Sequence, residues 1–351
     1  MEPPLRFNGK RRKLRYFLSV CLIGAAVLIF FSRFEGWRDV PLLFQEAHKK
    51  PLWLLLFLEA VYFFVYGILS KVLLDISFAA NHEKDSRVSL KETIKVGILG
   101  VLGFQVAPFV GSSILLYLFY KKLKVPSSAI LFLVAVLTIF NWLSGFVLGI
   151  LSFVLLPDSF SCFLPEKTVL ACLSVILLLL VAGYFLVRKN AKNLVSGLSF
   201  LAFLVNKLSR KLLKREVLSQ ERMTRVFEEL LKDLNLLLKE PVKSLKALVL
   251  SLLFYLLNVL VFYFSFYVFG YQANFPLLVL GLIASSLVSL LSLFPEAPGV
   301  MEASLVAVFV FLGFPAHVTL LASLLYRLVS YWLPLPLGFF IYLKLNKEET
   351  V

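Results

Sequence analysis

Apolar residues in this chain come in long unbroken runs rather than in alternation. About six runs match or exceed the roughly 20 residues that cross a ~30 Å hydrocarbon layer as a helix. They span about Tyr16 to Phe34, Leu52 to Ala80, Ser127 to Leu156, Thr168 to Val187, Ala247 to Gly270 and Ala316 to Leu343. Barrel strands would instead show ten-residue segments of alternating polarity. The pattern predicts an all-α polytopic membrane protein with about six full spans.

Two further apolar segments are interrupted. In "VGILGVLGFQVAPFVGSSILLYLFYKKLK" both flanks are basic, so a full crossing would carry Lys121, Lys122 and Lys124 to the wrong side. Pro108 removes an amide donor near the middle and Gly111 tolerates unusual backbone angles there. A re-entrant hairpin over about 93 to 120 satisfies the charges; a single kinked span is the alternative. The second segment, Pro276 to Phe314, is broken by "PEAPG", which holds Pro295, Glu296 and Gly299. The stretches after the two breaks, 123 to 149 and 312 to 338, align without a gap. Leu123 meets Leu312, Pro126 meets Pro315 and Gly149 meets Gly338. The order span, broken hairpin, span therefore occurs twice with opposed charge flanks, which reads as an inverted-topology repeat. Chance similarity between leucine-rich helices is the competing explanation.

Composition agrees with burial in lipid: of 351 residues 60% are hydrophobic, 35 are Phe, and only 16% are charged. The net charge of +15 does not point to nucleic acid, because the basic residues cluster at the ends of apolar runs. Residues 188 to 246 hold fourteen Lys or Arg against six Asp or Glu. They read as an amphipathic segment at the inner surface or under the spans, or as a solvated linker helix. Cys21, Cys162 and Cys172 form neither a disulfide framework nor a zinc spacing, and three scattered histidines form no metal motif. "KRRKLRYFLSVCLIGAAVLIFF" begins like a signal peptide but lacks a small-x-small cleavage site, so a retained anchor is expected.

These features divide the chain into an anchor and loop (1–50), a first repeat with a connecting span (51–187), a basic cytoplasmic segment (188–246), a second repeat (247–343) and a tail (344–351). Both termini are expected in the cytoplasm, with the protein in the cytoplasmic membrane. No cofactor and no metal are expected.

Charges inside apolar runs mark where chemistry belongs, since a lone ionised side chain at mid-bilayer costs about 2.5–3.5 kcal/mol on insertion scales. Arg327 lies twelve residues beyond Pro315, about 18 Å of helix. Glu302 follows the break and should be equally deep, so a Glu302–Arg327 pair is expected. Glu59 is about 10 Å into its span and could face a cavity; Glu296 at the hairpin tip is a further candidate. Lys71 and Asp75 are four apart near a span end and read as a structural pair. Asn141, Ser144, Asn258, Ser285, Ser286 and Ser289 read as hydrogen-bonding glue between helices.

The stretch "PEAPGVMEASLVAVFVFLGFPAHVTLLASLLYRLVSYWLPLPLG" resembles the transmembrane region of lysylphosphatidylglycerol synthases. That family shows Pro-Gly-Gly-x-Gly-x-x-Glu, an apolar helix, a Gly-hydrophobic-Pro turn, and Tyr-Arg before a Tyr-Trp-like end. Pro295, Gly299 and Glu302 fall on its Pro, third Gly and Glu; Tyr326 and Arg327 fall on its Tyr-Arg. "APFVGSSILLYLFYKKLKVP", with Pro108 and Gly111, is similar to the family's earlier break. Glu296-Ala297 replaces the Gly-Gly pair. The resemblance covers about 50 to 343. It implies the flippase-like half without the soluble synthase domain, moving a lipid or lipid-linked compound between leaflets. The implied partners are membrane lipids, an anionic phospholipid or a lipid-linked substrate, with a homo-oligomer as a further option and no nucleic acid. Two alternatives stay open: an enzyme that modifies a lipid headgroup, with Glu302 as base and Arg327 on phosphate, and a scaffold acting through 188–246. No second carboxylate or histidine converges on Glu302 by sequence, so no catalytic residue is assigned and a non-enzyme is expected.

Overall fold

The computed structural model describes residues 50–80, 88–106, 116–120, 123–156, 228–229, 232–237, 239–290 and 299–347. The expected spans at 16–34 and 168–187 and most of the basic segment lie outside these residues. All described elements are helical. They are α1 (Lys50–Ala80), α2 (Leu90–Val106), α3 (Ser127–Val154), α4 (Pro241–Val268), α5 (Phe275–Leu290), α6 (Val300–Phe311), α7 (Ala316–Arg327) and α8 (Pro334–Lys347), with a π turn, Leu328–Trp332, between α7 and α8. Among the described residues four stretches are long and apolar enough to cross a membrane: Pro51–Ala79, Ser127–Val154, Pro241–Val268 and Ala316–Lys344. The protein is thus an all-α polytopic membrane protein.

Local sequence explains most boundaries. Ser89 and Glu92 close a capping box at the start of α2: Ser89 N donates to Glu92 Oε2 at 2.7 Å and Glu92 N to Ser89 Oγ at 3.3 Å. Pro241 opens α4 at the position where a missing amide hydrogen costs nothing. The last span is not the single helix that its apolar run suggests. Pro334 has no amide hydrogen for the Ser330 carbonyl, so the α ladder fails there. The chain widens into the π turn, closed by Leu333 N donating to the Leu328 carbonyl at 2.9 Å. The bundle's outward faces are apolar: Trp53, Val154, Phe311 and Phe340 are each largely exposed. Such faces are covered in a bilayer by lipid.

Two cores occupy opposite ends of the bundle. One joins the first half of α1 to the second half of α4, with α5, α6 and α7, around Phe262, Phe266 and Phe309. The other joins the second half of α1 to α2, 116–120 and the first half of α3, around Tyr120 and Phe132. Residues 232–237 dock beneath this second core, with Leu237 buried in it and Ser77 Oγ donating to the buried Asp233 at 2.5 Å. The helices exchange partners between halves: α2 packs on α8, α5 packs on α3, and α1 packs along α4.

The two stretches aligned by sequence share one backbone turn. Leu123 N donates to Phe119 O and Leu312 N to Val308 O; Val125 N to Tyr120 O and Phe314 N to Phe309 O; Ile130 N to Pro126 O and Thr319 N to Pro315 O. Each pair is related by the same gapless offset. Lys124 (φ 59°) and Gly313 (φ 88°) take the left-handed conformation at matching positions.

Candidate functional site

The site begins with how α6 starts. Gly299 has φ 87°, a conformation that strains any residue with a Cβ. It places Glu302 on the third residue of the helix, where its side chain folds back to accept the Gly299 amide proton at 2.6 Å through Oε2. The other oxygen, Oε1, accepts from Arg327 Nε at 2.8 Å. The two side chains are 11% and 12% exposed, so the pair lies inside the protein. The carboxylate also stands at the positive end of α6. The expected Glu302–Arg327 pair is therefore present, and it ties α6 to the end of α7.

Neighbouring groups fix the guanidinium. Its carbon lies 4.3 Å from the centroid of the Tyr331 ring, a cation–π contact. Tyr326 turns the other way: its hydroxyl donates to Asn258 Oδ1 at 2.6 Å, and its ring meets Phe262 edge-on at 5.0 Å. Arg327 Nη2 is buried and makes no hydrogen bond among the described residues. One nitrogen of the guanidinium holds the protein together while another donor remains available. Thr319, Ser323 and Ser330 lie four or more residues apart on the same stretch and also leave their hydroxyls without a partner among the described residues. That is unusual beside Ser265, Ser285, Ser286 and Ser304, whose hydroxyls donate to the carbonyl four residues back.

Glu59 is buried, 7% exposed, on α1. Its carboxyl lies beside the Ser330 hydroxyl of the π turn. Neither Glu59 Oε1 nor Ser330 Oγ completes a well-formed hydrogen bond among the described residues. Pro108, Gly111, Pro295 and Glu296 lie outside the described residues. Of the expected polar glue, Ser144 does bridge helices, with 2.9 Å between its Oγ and that of Ser251, and Asn258 serves Tyr326. Ser285 and Ser286 do not bridge, because their own helix satisfies them. Tyr331 and Ser330 were not singled out by sequence; the i, i+4 spacing of Arg327 and Tyr331 was the available signal. No group of three or more His, Cys, Asp or Glu able to hold a metal occurs among the described residues.

A helical membrane protein with two short apolar helices, a carboxylate at the start of the second and a guanidinium on the next span defines the class. The family model described as "Lysylphosphatidylglycerol synthase TM region" matches residues 16–338, so the chain belongs to that family. A similar protein is a "UPF0104 membrane protein" from Methanothermobacter thermautotrophicus, 33% identical over 90 residues, which is 26% of this chain and 27% of the relative. The match thus spans about a quarter of that relative's length. No solved structure matches the chain.

Proposed function

We propose that this protein is a flippase-like transporter that moves a lipid or lipid-linked compound across the membrane. The observation that carries the reading is the Glu302–Arg327 pair with its unused Arg327 Nη2. A guanidinium held by one nitrogen can offer another to a phosphate oxygen, the anion it binds best. Placing that donor about 18 Å along the span from Pro315 puts it near the bilayer midplane, where transporter sites lie. The short apolar helices α5 and α6, at 16 and 12 residues, suit a hairpin that enters and returns. The shared turn and the exchange of α2 and α5 between halves support an inverted repeat. The match to the lysylphosphatidylglycerol synthase transmembrane region supports a lipid as cargo.

The test uses liposomes of phosphatidylethanolamine and phosphatidylglycerol carrying fluorescent phosphatidylglycerol or phosphatidylcholine. Dithionite quenching reports how fast labelled lipid crosses. The wild type should move lipid, the anionic probe fastest, and Arg327→Ala should abolish that preference. Equal rates for wild type, Glu302→Gln and Arg327→Ala would remove the site from the mechanism.

A further inference from the structure

A buried carboxylate needs a positive partner, and Glu59 has none among the described residues. Among the described residues, 232–237, with Lys232 and Asp233, meet only the far end of α1 at Ser77, while the elements packed most closely on it are α2, α3, α4 and the π turn. Their charged side chains are Lys91, Glu92 and Lys95 in the first turns of α2, and Lys243 and Lys246 in the first turns of α4; α3 and the π turn carry none. On the packed register Ile94 of α2 meets Gly67, eight residues beyond Glu59. The α2 charges therefore lie about 12 Å further along α1. Tyr62, one turn from Glu59, stacks on Phe254 at 4.2 Å, which sets Glu59 well beyond the lysines at the start of α4. The tyrosines of α4 and the π turn are Tyr255, Tyr263, Tyr267 and Tyr331, and of these Tyr331 contacts Arg327. Arg327 itself is neutralised by Glu302. Among the described residues, what faces Glu59 is Ser330, at the point where Pro334 withholds an amide from the Ser330 carbonyl.

We propose that Glu59, with Ser330 at the π turn, is a proton-binding site that couples lipid movement to a proton gradient. The coupling rests on the transport function proposed above; the proton site does not. The group is a buried carboxyl on one span, packed against a π turn in another, and ionisable groups so placed inside membrane spans serve ion and proton pathways. Its position on the first long helix, against the break in the last, lets one proton bias how those two elements meet. A proton is favoured over a metal cation because few oxygens converge there among the described residues, whereas a hard cation collects several.

The site can be tested without transport. Protein in liposomes of phosphatidylethanolamine and phosphatidylglycerol is treated with dicyclohexylcarbodiimide, which modifies protonated carboxyls in apolar surroundings, and the modified residue is mapped by mass spectrometry. Glu59 should be modified and Glu302, held by Arg327, spared. Modification should fall about tenfold for each pH unit above its midpoint and ignore added Na⁺ or K⁺. No modification of Glu59 at any pH overturns the proposal; protection by Na⁺ at constant pH replaces the proton with a metal cation. In transporting liposomes, the ratio of rates with and without a pH gradient should exceed one for wild type and fall to one for Glu59→Gln. A wild-type ratio of one overturns the coupling and leaves the proton site. If no lipid moves at all, the transport reading and the coupling both fail, and the labelling alone decides the fate of the proton site.

Discussion

The spans that follow the two shared turns, α3 and α7–α8, start alike and end differently. Each begins after the same hydrogen-bonded turn, with a left-handed residue two positions before a helix-opening proline. Counting on by the same offset, Tyr326 meets Leu137, Arg327 meets Thr138, Pro334 meets Gly145 and Pro336 meets Val147. Thr138 is exposed and its hydroxyl donates to the Val134 carbonyl of its own helix. Arg327 is mostly buried and bound to another element. Without prolines α3 runs 28 residues unbroken, whereas the other span opens into a π turn. The backbone turn is thus common to the two stretches, and a few side chains set the second apart.

The largest effect that separates the copies is expected at the matched pair Arg327 and Thr138. Arg327→Ala leaves the Glu302 carboxylate buried without its partner and should cost about 3–5 kcal/mol. Thr138→Ala, on an exposed face, should stay within about 0.5 kcal/mol. Denaturant unfolding of the variants in one detergent measures both. Equal losses would mean that the second stretch is not set apart from the first by its buried ion pair.

A middle-sized effect should fall on both copies alike. A Cβ on Gly281 would lie 2.4 Å from Phe309 Cζ, where α5 meets α6. A Cβ on Gly67 would lie 2.4 Å from Ile94 Cγ1, where α1 meets α2. Overpacking of this kind costs about 1–3 kcal/mol. Gly281→Ala and Gly67→Ala should each lower the melting temperature, and only Gly281→Ala should also slow lipid movement, since it displaces the helix that bears Glu302.

Much of this was legible in the residues. The long apolar runs gave α1 and α3 almost to the residue, because a span's length is fixed by the hydrocarbon it crosses. The cost of a lone charge in lipid was enough to pair Glu302 with Arg327 before any coordinates. The break at Pro334 was not read, because hydropathy averages over a run and ignores a missing donor. Ser285 and Ser286 were misassigned as glue, since spacing gives a helix face but not whether a hydroxyl turns back on its own backbone. Glu59 was recognised as deep, but Ser330 as its neighbour is a contact across 271 positions of sequence that no local pattern encodes.

The smallest effect probes the shared turn itself. Lys124 is the one non-glycine residue with positive φ among the described residues, and its counterpart is a glycine. A left-handed residue with a Cβ costs about 1–2 kcal/mol relative to glycine, because the Cβ crowds the following carbonyl oxygen. The added Cβ of Gly313→Ala would meet nothing within 4 Å, so that substitution isolates backbone strain and should destabilise by this amount. Lys124→Gly should do the reverse, offset by the larger freedom glycine has in the unfolded chain, for a net gain of up to about 1 kcal/mol. Opposite signs in the two unfolding curves would establish that both turns hold the same backbone for the same reason. Two losses would instead mean that the Lys124 side chain stabilises its turn by contacts that Gly313 does without, and the likeness of the repeats would then stop at hydrogen-bond pattern.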